Sequence, residues 1–342
     1  EVVPLGRMNR WYSILNGTYK MHDDPVEGLD AVSRWLIATR SVVFVMTVNS
    51  VIIGGLLYIL HAGFSPSFLL PFALVLLGLV FAHAASNLFN DYWDAKHGID
   101  SSKDYFRPAY MPHPSLSGMM SPQGLFSLGV VHLVGMVSIA AYFVELRGPL
   151  VLVFAGLGVL FLILYAGGPM PLKRIGLGEP TVFLVWGPLM VGGTFYVLSG
   201  ILPAWVLIAS IPYAVSVTTV LFGKHIDKVE YDTKLGIRTV PVILGEAATK
   251  KVLKALVIIA YVAVVGLVAT RFLPVWSLIS LFALPRASKL FSTLSEPRPK
   301  EAPPGAIMWP IWYLGFVFNH NRRFGALYVL GLLLSALLPV YI

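Results

Sequence analysis

The chain has 342 residues, of which 57% are hydrophobic and only 12% charged, with a mean hydropathy of +0.77. A soluble domain carries about 25% charged residues, so this composition excludes an ordinary water-soluble globule. Cysteine is absent, which removes disulfide and thiol chemistry, and the net charge of +8 must be placed along the chain before it can be given a partner.

Residues 1–34 are too polar for a secretory leader. Trp11, Tyr12 and Trp35 stand among charges there, which predicts a segment on the cytoplasmic membrane surface, with plain disorder as the alternative. Strong apolar stretches follow at 42–61, 67–86, 124–144, 149–166, 181–200, 202–222, 252–270 and 324–341, with a weaker one at 273–285. A run of about 18 residues or more crosses a hydrocarbon core of about 30 Å. In lipid the backbone must satisfy its own hydrogen bonds, so each run predicts a helix. The expected fold is an all-α polytopic membrane protein of about nine transmembrane helices around a central cavity open to the cytoplasmic side. It divides into residues 1–34 and a single transmembrane domain over 35–342. The proline-rich loop 295–305 carries no evident chemistry.

With nine spans, 23 of the 25 Lys and Arg fall on the amino-terminal side of the membrane, and only Arg147 and Arg271 on the other. That asymmetry is the positive-inside pattern. It accounts for the basicity without nucleic acid, and it predicts a multi-pass cell-membrane protein with a cytoplasmic amino terminus and cytoplasmic charged loops.

The second span ends in Ser86-Asn-Leu-Phe-Asn-Asp-Tyr-Trp-Asp-Ala-Lys-His-Gly-Ile-Asp100. Carboxylates near a membrane span are a functional hypothesis by default. Asn87, Asp91 and Asp94 stand at i, i+4 and i+7, and Asn90 and Asp94 at i, i+4, so oxygen ligands are expected to converge on one side of the last turns. Gly98 is expected to end the helix. The pattern D-x-K-x-G-I of Asp94–Ile99 returns 138 residues later as Asp232-Thr-Lys-Leu-Gly-Ile237, at the end of the sixth span, which runs in the same direction as the second. The two motifs can face one another across a cavity. Facing carboxylates with interleaved basic residues suit a hard cation bridging to phosphate oxygens, as magnesium does. Solvated charge clusters at the interface, or a cation path through a transporter, are the alternatives. Against transport, no ionisable residue is evident within a span apart from His83.

Several stretches together resemble the UbiA superfamily of intramembrane prenyltransferases, closest to the menaquinone-branch, 1,4-dihydroxy-2-naphthoate polyprenyltransferase-like members. They are R-W-L-I-A-T-R (34–40), N-D-Y-W-D-A-K-H-G-I-D (90–100), Y-A-G-G-P-M-P-L-K-R-I-G-L-G-E (165–179), F-L-V-W-G-P-L-M-V-G-G-T-F-Y (183–196) and D-K-V-E-Y-D-T-K-L-G-I-R-T-V-P-V-I-L-G (227–245). The likeness covers about residues 34–270. One departure stands out. Aligned on Asp232, the family's earlier aspartate falls on Lys228, and its asparagine positions on Lys224 and His225. A continuous helix would put Lys224, Lys228 and Asp232 on one stripe, with the lysines taking over part of the diphosphate neutralisation. Alternatively Asp227 or Glu230 reaches the metal by a local shift.

The resemblance implies magnesium-dependent transfer of a polyprenyl group from an allylic diphosphate to an aromatic, quinone-precursor-like acceptor, releasing diphosphate. Metal work is expected of Asn90, Asp91, Asp94, Asp100, Asp227 and Asp232. Asp94 and Asp232 are the expected catalytic carboxylates, and Tyr165 and Tyr231 the faces that support an allylic cation. Asn90, Lys224, Lys228 and Arg107 are expected on the diphosphate, and Lys173 on an acceptor carboxylate. His97 and His113 could deprotonate the acceptor or be simple loop histidines. The implied partners are polyprenyl diphosphate, a hydrophobic aromatic acceptor and membrane lipid. A non-catalytic prenyl-lipid-binding or assembly subunit, or transfer to another lipid acceptor, is the rival reading.

Overall fold

The computed structural model describes residues 6–19, 26–99, 112–168, 170–304 and 309–339, and no strand occurs among them. Two short helices, α1 (Arg7–Asn16) and α2 (Ala31–Ala38), precede the long ones. Then come α3 (Phe44–Ala62), α4 (Leu69–Lys96), α5 (Pro122–Arg147) and α6 (Leu150–Ala166). The next crossing element is composite: α7 (Gly178–Leu184), a π-helical turn over Val185–Leu189 that contains Pro188, and α8 (Met190–Ser199). After it come α9 (Ala204–Asp227), the short α10 (Val229–Lys234) and α11 (Val240–Leu244), and α12 (Glu246–Ala269). A 3₁₀ stretch over Val275–Ala283 leads into α13 (Leu284–Ser295), and α14 (Tyr313–Leu337) closes the bundle.

Among the described residues, six stretches are long and apolar enough to cross a membrane: Ser41–Ala62, Pro66–Lys96, Pro122–Arg147, Gly178–Ser199, Ala204–Asp227 and Glu246–Ala269. The most enclosed of the six is α9, and the most lipid-like surface belongs to α5, whose Val131, Val134 and Val137 are exposed. Exposed valines of this kind are out of place in water and ordinary in lipid, where tight packing and polar contacts hold helices together. One such approach is Gly54 on α3, where a β-carbon would come within 2.7 Å of the Val191 carbonyl on α8.

The sequence places the last span at 324–341, but α14 begins eleven residues earlier. The run Asn319-His-Asn-Arg-Arg323 masks the helix in the hydropathy, and tertiary contacts make that run affordable. His320 Nε2 meets Tyr261 Oη at 2.9 Å, Asn321 Nδ2 donates to Ser216 Oγ at 3.0 Å, and Arg322 donates to Asn16 Oδ1 at 3.1 Å. Besides His61 and His225 near helix ends, His83 is therefore joined among the described residues by two further histidines well inside helices. The second is His132 on α5, which accepts from Trp35 Nε1 at 2.9 Å.

Length positions the first acidic motif. A helix of 28 residues spans about 42 Å, longer than the ~30 Å hydrocarbon core, so the last turns of α4 stand clear of the apolar layer. On that side lie α1 and α2, tied by Asp30. Its carboxylate caps α2 through Val32 N and Ser33 N, both at 3.0 Å, and accepts from Trp11 Nε1 at 3.2 Å. Burial raises the Asp30 pKa, but these bonds and that from the Ser33 hydroxyl outweigh it and hold the group at about 2. A depressed carboxyl stabilises the fold above its ordinary pKa and loses that effect as pH falls through the folded value. This tie therefore persists throughout the neutral range.

Candidate functional site

The two D-x-K-x-G-I segments end their helices in the same way. Gly98 and Gly236 take left-handed backbone angles, φ 65° and 67°. Ile99 N donates to the Asp94 carbonyl at 2.9 Å, and Ile237 N to the Asp232 carbonyl at 2.9 Å; Gly98 N reaches Ala95 O at 3.2 Å, and Gly236 N reaches Thr233 O at 3.1 Å. These six-to-one and five-to-two bonds form a Schellman ending. Part of the repeated spelling therefore encodes a helix stop. Glycine supplies the positive φ, and the aspartate sits three residues before the cap. A carboxylate there opposes the helix dipole and needs cations.

At the first tip the cations come from the loop after α6. Lys173 Nζ lies 2.6 Å from Asn90 Oδ1 and 2.7 and 2.6 Å from the two Asp94 oxygens. Arg174 Nη2 approaches Asp94 Oδ1 at 3.3 Å and His97 Nδ1 at 3.4 Å. Asn90 and Asp94 are both buried. The expected convergence of four side chains on one side divides into two pairs. Asn90 and Asp94 face Lys173, whereas Asn87 Nδ2 donates to the Thr39 carbonyl at 2.8 Å and Asp91, fully buried, pairs with Arg40. Arg40 takes a left-handed backbone conformation, φ 55°, just before α3 to make that pair. Asp91 thus anchors α2 to α4, away from the Asn90–Asp94 face. Lys173, expected on an acceptor carboxylate, is held by the first motif instead.

The second tip is not one continuous helix. The chain breaks at Lys228 (φ −101°, ψ 1°), so Lys224, Lys228 and Asp232 do not form a strict stripe, although Lys228 Nζ still lies 3.9 Å from Asp232 Oδ1. Asp227 lies apart from both. Its carboxylate accepts the backbone amides of Trp312, Tyr313 and Leu314 at 3.1, 3.1 and 2.9 Å, capping the start of α14 where the dipole favours a negative group. A carboxylate committed to three amides does not turn toward Asp232, and Glu230 is exposed. The tips themselves meet where Tyr231 Oη donates to the Ile99 carbonyl, and Arg238 N, just past the second tip, donates to Arg174 O in the loop after α6 at 2.9 Å. Tyr231 is thus a tie between the motifs, with Lys228 Nζ 5.0 Å over its ring. Asp100 and Arg107 lie outside the described residues. His113 receives the amides of Ser115 and Leu116 on Nδ1 at 3.2 and 3.3 Å, which gives it a turn-forming role.

Below the tips lies a cavity of about 320 Å³. Asn90, Lys224, Tyr165 and Arg40 line it near the motifs, and beneath them the walls are mainly apolar, with Met136, Phe143, Phe154 and Leu189 among them. Lys224 is half-buried and lies within the electrostatic reach of Arg40, Lys228, Lys173 and Asp94, so charges from both tips act on one region. Sequence reasoning missed one pair here. His225 Nδ1 lies 2.7 Å from Glu179 Oε1, both buried, and joins the start of α7 to α9. Glu179 stands within Leu177-Gly-Glu-Pro180, where an acidic residue in the first turn of a helix was a legible signal.

Among the described residues no three His, Asp or Glu converge on one point, so an all-protein metal cage is not formed. The donor chemistry still fits a hard cation. Three oxygens of Asn90 and Asp94 already hold the Lys173 ammonium, and Asp232 stands on the adjoining tip. Magnesium is commonly held by one or two carboxylates, with substrate phosphates and water completing its shell.

Residues 48–309 match the UbiA prenyltransferase family. The chain is 28% identical over 275 residues to 1,4-dihydroxy-2-naphthoate octaprenyltransferase of Bacillus subtilis (strain 168), covering 78% of this chain and 82% of that one. It is 27% identical over 277 residues to UbiA prenyltransferase domain-containing protein 1 of Homo sapiens, covering 77% and 78%. Among solved structures, a UbiA homologue from Archaeoglobus fulgidus bound to GPP and Mg2+ superposes with a TM-score of 0.56 at 18% identity, covering 86% of this chain and 99% of that one. At that identity the superposition speaks for the fold.

Proposed function

The chain belongs to the UbiA prenyltransferase family and is an integral membrane prenyltransferase; from that premise we propose that it moves a polyprenyl group from an allylic diphosphate to a hydroxylated aromatic acceptor of the naphthoate kind. One observation carries the proposal: acidic and basic side chains of two matching helix tips, joined at Tyr231–Ile99, stand over a mainly apolar cavity. A diphosphate head needs the first and a prenyl tail the second. The naphthoate acceptor draws support from the Bacillus subtilis relative, and magnesium from the Archaeoglobus fulgidus homologue bound to it.

In this reading Asn90, Asp94 and Asp232 would hold magnesium against the diphosphate, and the same work is proposed for Asp100 and Arg107. The ion supplies neutralisation of the charge that develops on the leaving oxygen. Lys224 and Lys228 contact the diphosphate directly as point charges, which suits the second tip's single well-placed carboxylate. Lys173 balances Asp94 before substrate arrives and then faces the same phosphate oxygens. Tyr165, on the cavity wall, offers its ring to the allylic cation. The apolar walls keep water from that cation. Asp91 and Asp227 support the site as anchors of α2 and α14.

The proposal extends to the architecture. The six apolar crossings, α6, the Val275–Ser295 segment and α14 together make nine spans in the domain 35–342. The positive-inside asymmetry supports an orientation with α1, α2 and both tips on the cytoplasmic side of the cell membrane. Purified protein given geranylgeranyl diphosphate, magnesium and 1,4-dihydroxy-2-naphthoate is expected to release diphosphate and form a prenylated naphthol. Binding of the diphosphate with no release under any acceptor would favour a non-catalytic lipid-binding role.

A further inference from the structure

On its cavity side α4 is unexpectedly polar below the acidic tip. His83, Ser86, Asn87 and Asn90 all line the cavity. Their spacing of i, i+3, i+4 and i+7 makes one continuous stripe, reaching about 10 Å down the helix from Asn90. A prenyl tail has no use for such a stripe, and an imidazole in an apolar channel is costly unless it is hydrogen-bonded. His83 is 5% exposed. Its Nδ1 meets Thr47 Oγ1 at 2.8 Å, which fixes the ring, and Phe44 and Trp186 flank it with ring centroids 5.2 and 5.1 Å away. Nε2 has no partner among the described residues.

The wall beside this ring is itself irregular. Trp186 lies in the π-helical turn Val185–Leu189 and lines the same cavity. Single π-turns inside helices are rare and recur at functional sites. Here the turn sets an indole beside an imidazole whose second nitrogen is unused. An aromatic surface next to one hydrogen-bonding nitrogen fits a planar ring that carries a hydroxyl.

We propose that His83 Nε2, held by Thr47, hydrogen-bonds a ring hydroxyl of the aromatic acceptor, which lies against Trp186 inside the cavity. The acceptor then reaches the allylic carbon from within the cavity, not from the loop 165–179. The proposal rests on the prenyltransferase reading above and adds to it the acceptor's position.

The test uses the full chain in detergent, with variants His83→Phe, His83→Gln, Thr47→Val and Trp186→Phe. Turnover gives separate KM values for 1,4-dihydroxy-2-naphthoate and for geranylgeranyl diphosphate. Binding of 1-hydroxy-2-naphthoate, followed by quenching of tryptophan fluorescence, gives an affinity that needs no turnover. Loss of one buried hydrogen bond predicts an acceptor KM and Kd about tenfold weaker in His83→Phe, with the KM for the diphosphate unchanged. His83→Gln should recover part of the loss, and Thr47→Val should weaken the acceptor by a smaller factor. Trp186→Phe should remove most of the quenching.

An acceptor affinity unchanged in His83→Phe and Thr47→Val overturns the proposal, as does an equal rise in both KM values. If wild type binds the naphthoate through His83 but transfers nothing, the acceptor site stands and the transferase reading is what fails. If His83→Phe does not fold, His83→Gln and Thr47→Val decide by the same readings.

Discussion

Replacing Asp94 with alanine is expected to lower prenyl transfer about a thousandfold, the scale on which removal of a principal electrostatic group acts. Asp94 supplies both of its oxygens to Lys173 and shares that ammonium with Asn90, so it organises the whole first tip. Without it, Lys173 and Arg174 lose their counter-charge, and the first tip becomes a patch of cations with one oxygen ligand, Asn90. Diphosphate could still bind there electrostatically, but magnesium could not be held in register with it. The expected signature is a collapse of kcat with a smaller change in diphosphate affinity. Asp94→Asn keeps the shape and separates folding from chemistry. It should retain the thermal stability of the parent in detergent while losing turnover nearly as far. Full activity in Asp94→Asn would remove Asp94 from the mechanism.

Asp227→Ala should act on stability and leave metal use alone. Three backbone amides at the start of α14 point at its carboxylate, within a 2%-exposed environment. Removing it strips a helix of its cap and leaves buried donors without acceptors, a loss of about 2–4 kcal/mol. Thermal unfolding in detergent should show a clear fall in midpoint, and Asp227→Asn should restore part of it, because an amide oxygen still accepts. The magnesium dependence of the surviving protein should match that of the parent. A shifted magnesium requirement with unchanged stability would return Asp227 to the metal site.

These two aspartates show what the chain spells out and what it conceals. The apolar runs announce helices because lipid allows little else, and Asp94 and Asp232 are conspicuous because carboxylates beside such runs need a reason. The repeat was legible, yet its spelling carries two messages. Gly98 and Gly236 stop helices by their positive φ, and the aspartates are the residues proposed for the chemistry. Periodicity places Asn87 and Asp91 on the same tip as Asn90 and Asp94 but cannot say that Thr39 and Arg40 wait just past the end of α2 to claim them. Likewise Asp227 is visibly one residue out of line with Asp232, while its duty to α14 depends on residues 85 to 87 positions away. Lys173 is the clearest example. It reads as a basic loop residue, and the contact that defines it crosses 79 positions. The polar run 319–323 hid the start of α14 because hydropathy scores a side chain by type and cannot see Tyr261 or Ser216 satisfying it.

His83 belongs to a different class of hidden residue. Alone on an apolar helix it reads as a satisfied core histidine, and Thr47 does satisfy half of it. The i, i+3, i+4, i+7 stripe was present in the sequence, but only the cavity shows that the stripe faces inward.

The proposed transfer requires one diphosphate to be gripped by both tips together. The most direct measurement is calorimetric binding of a non-ionising thio analogue of geranylgeranyl diphosphate, with magnesium, to wild type, Asp94→Asn, Asp232→Asn and the double variant. A shared site predicts that either single change removes most of the magnesium-dependent affinity and that the second change adds little. Full independence of the two losses, or undiminished binding in Asp232→Asn, would contradict it.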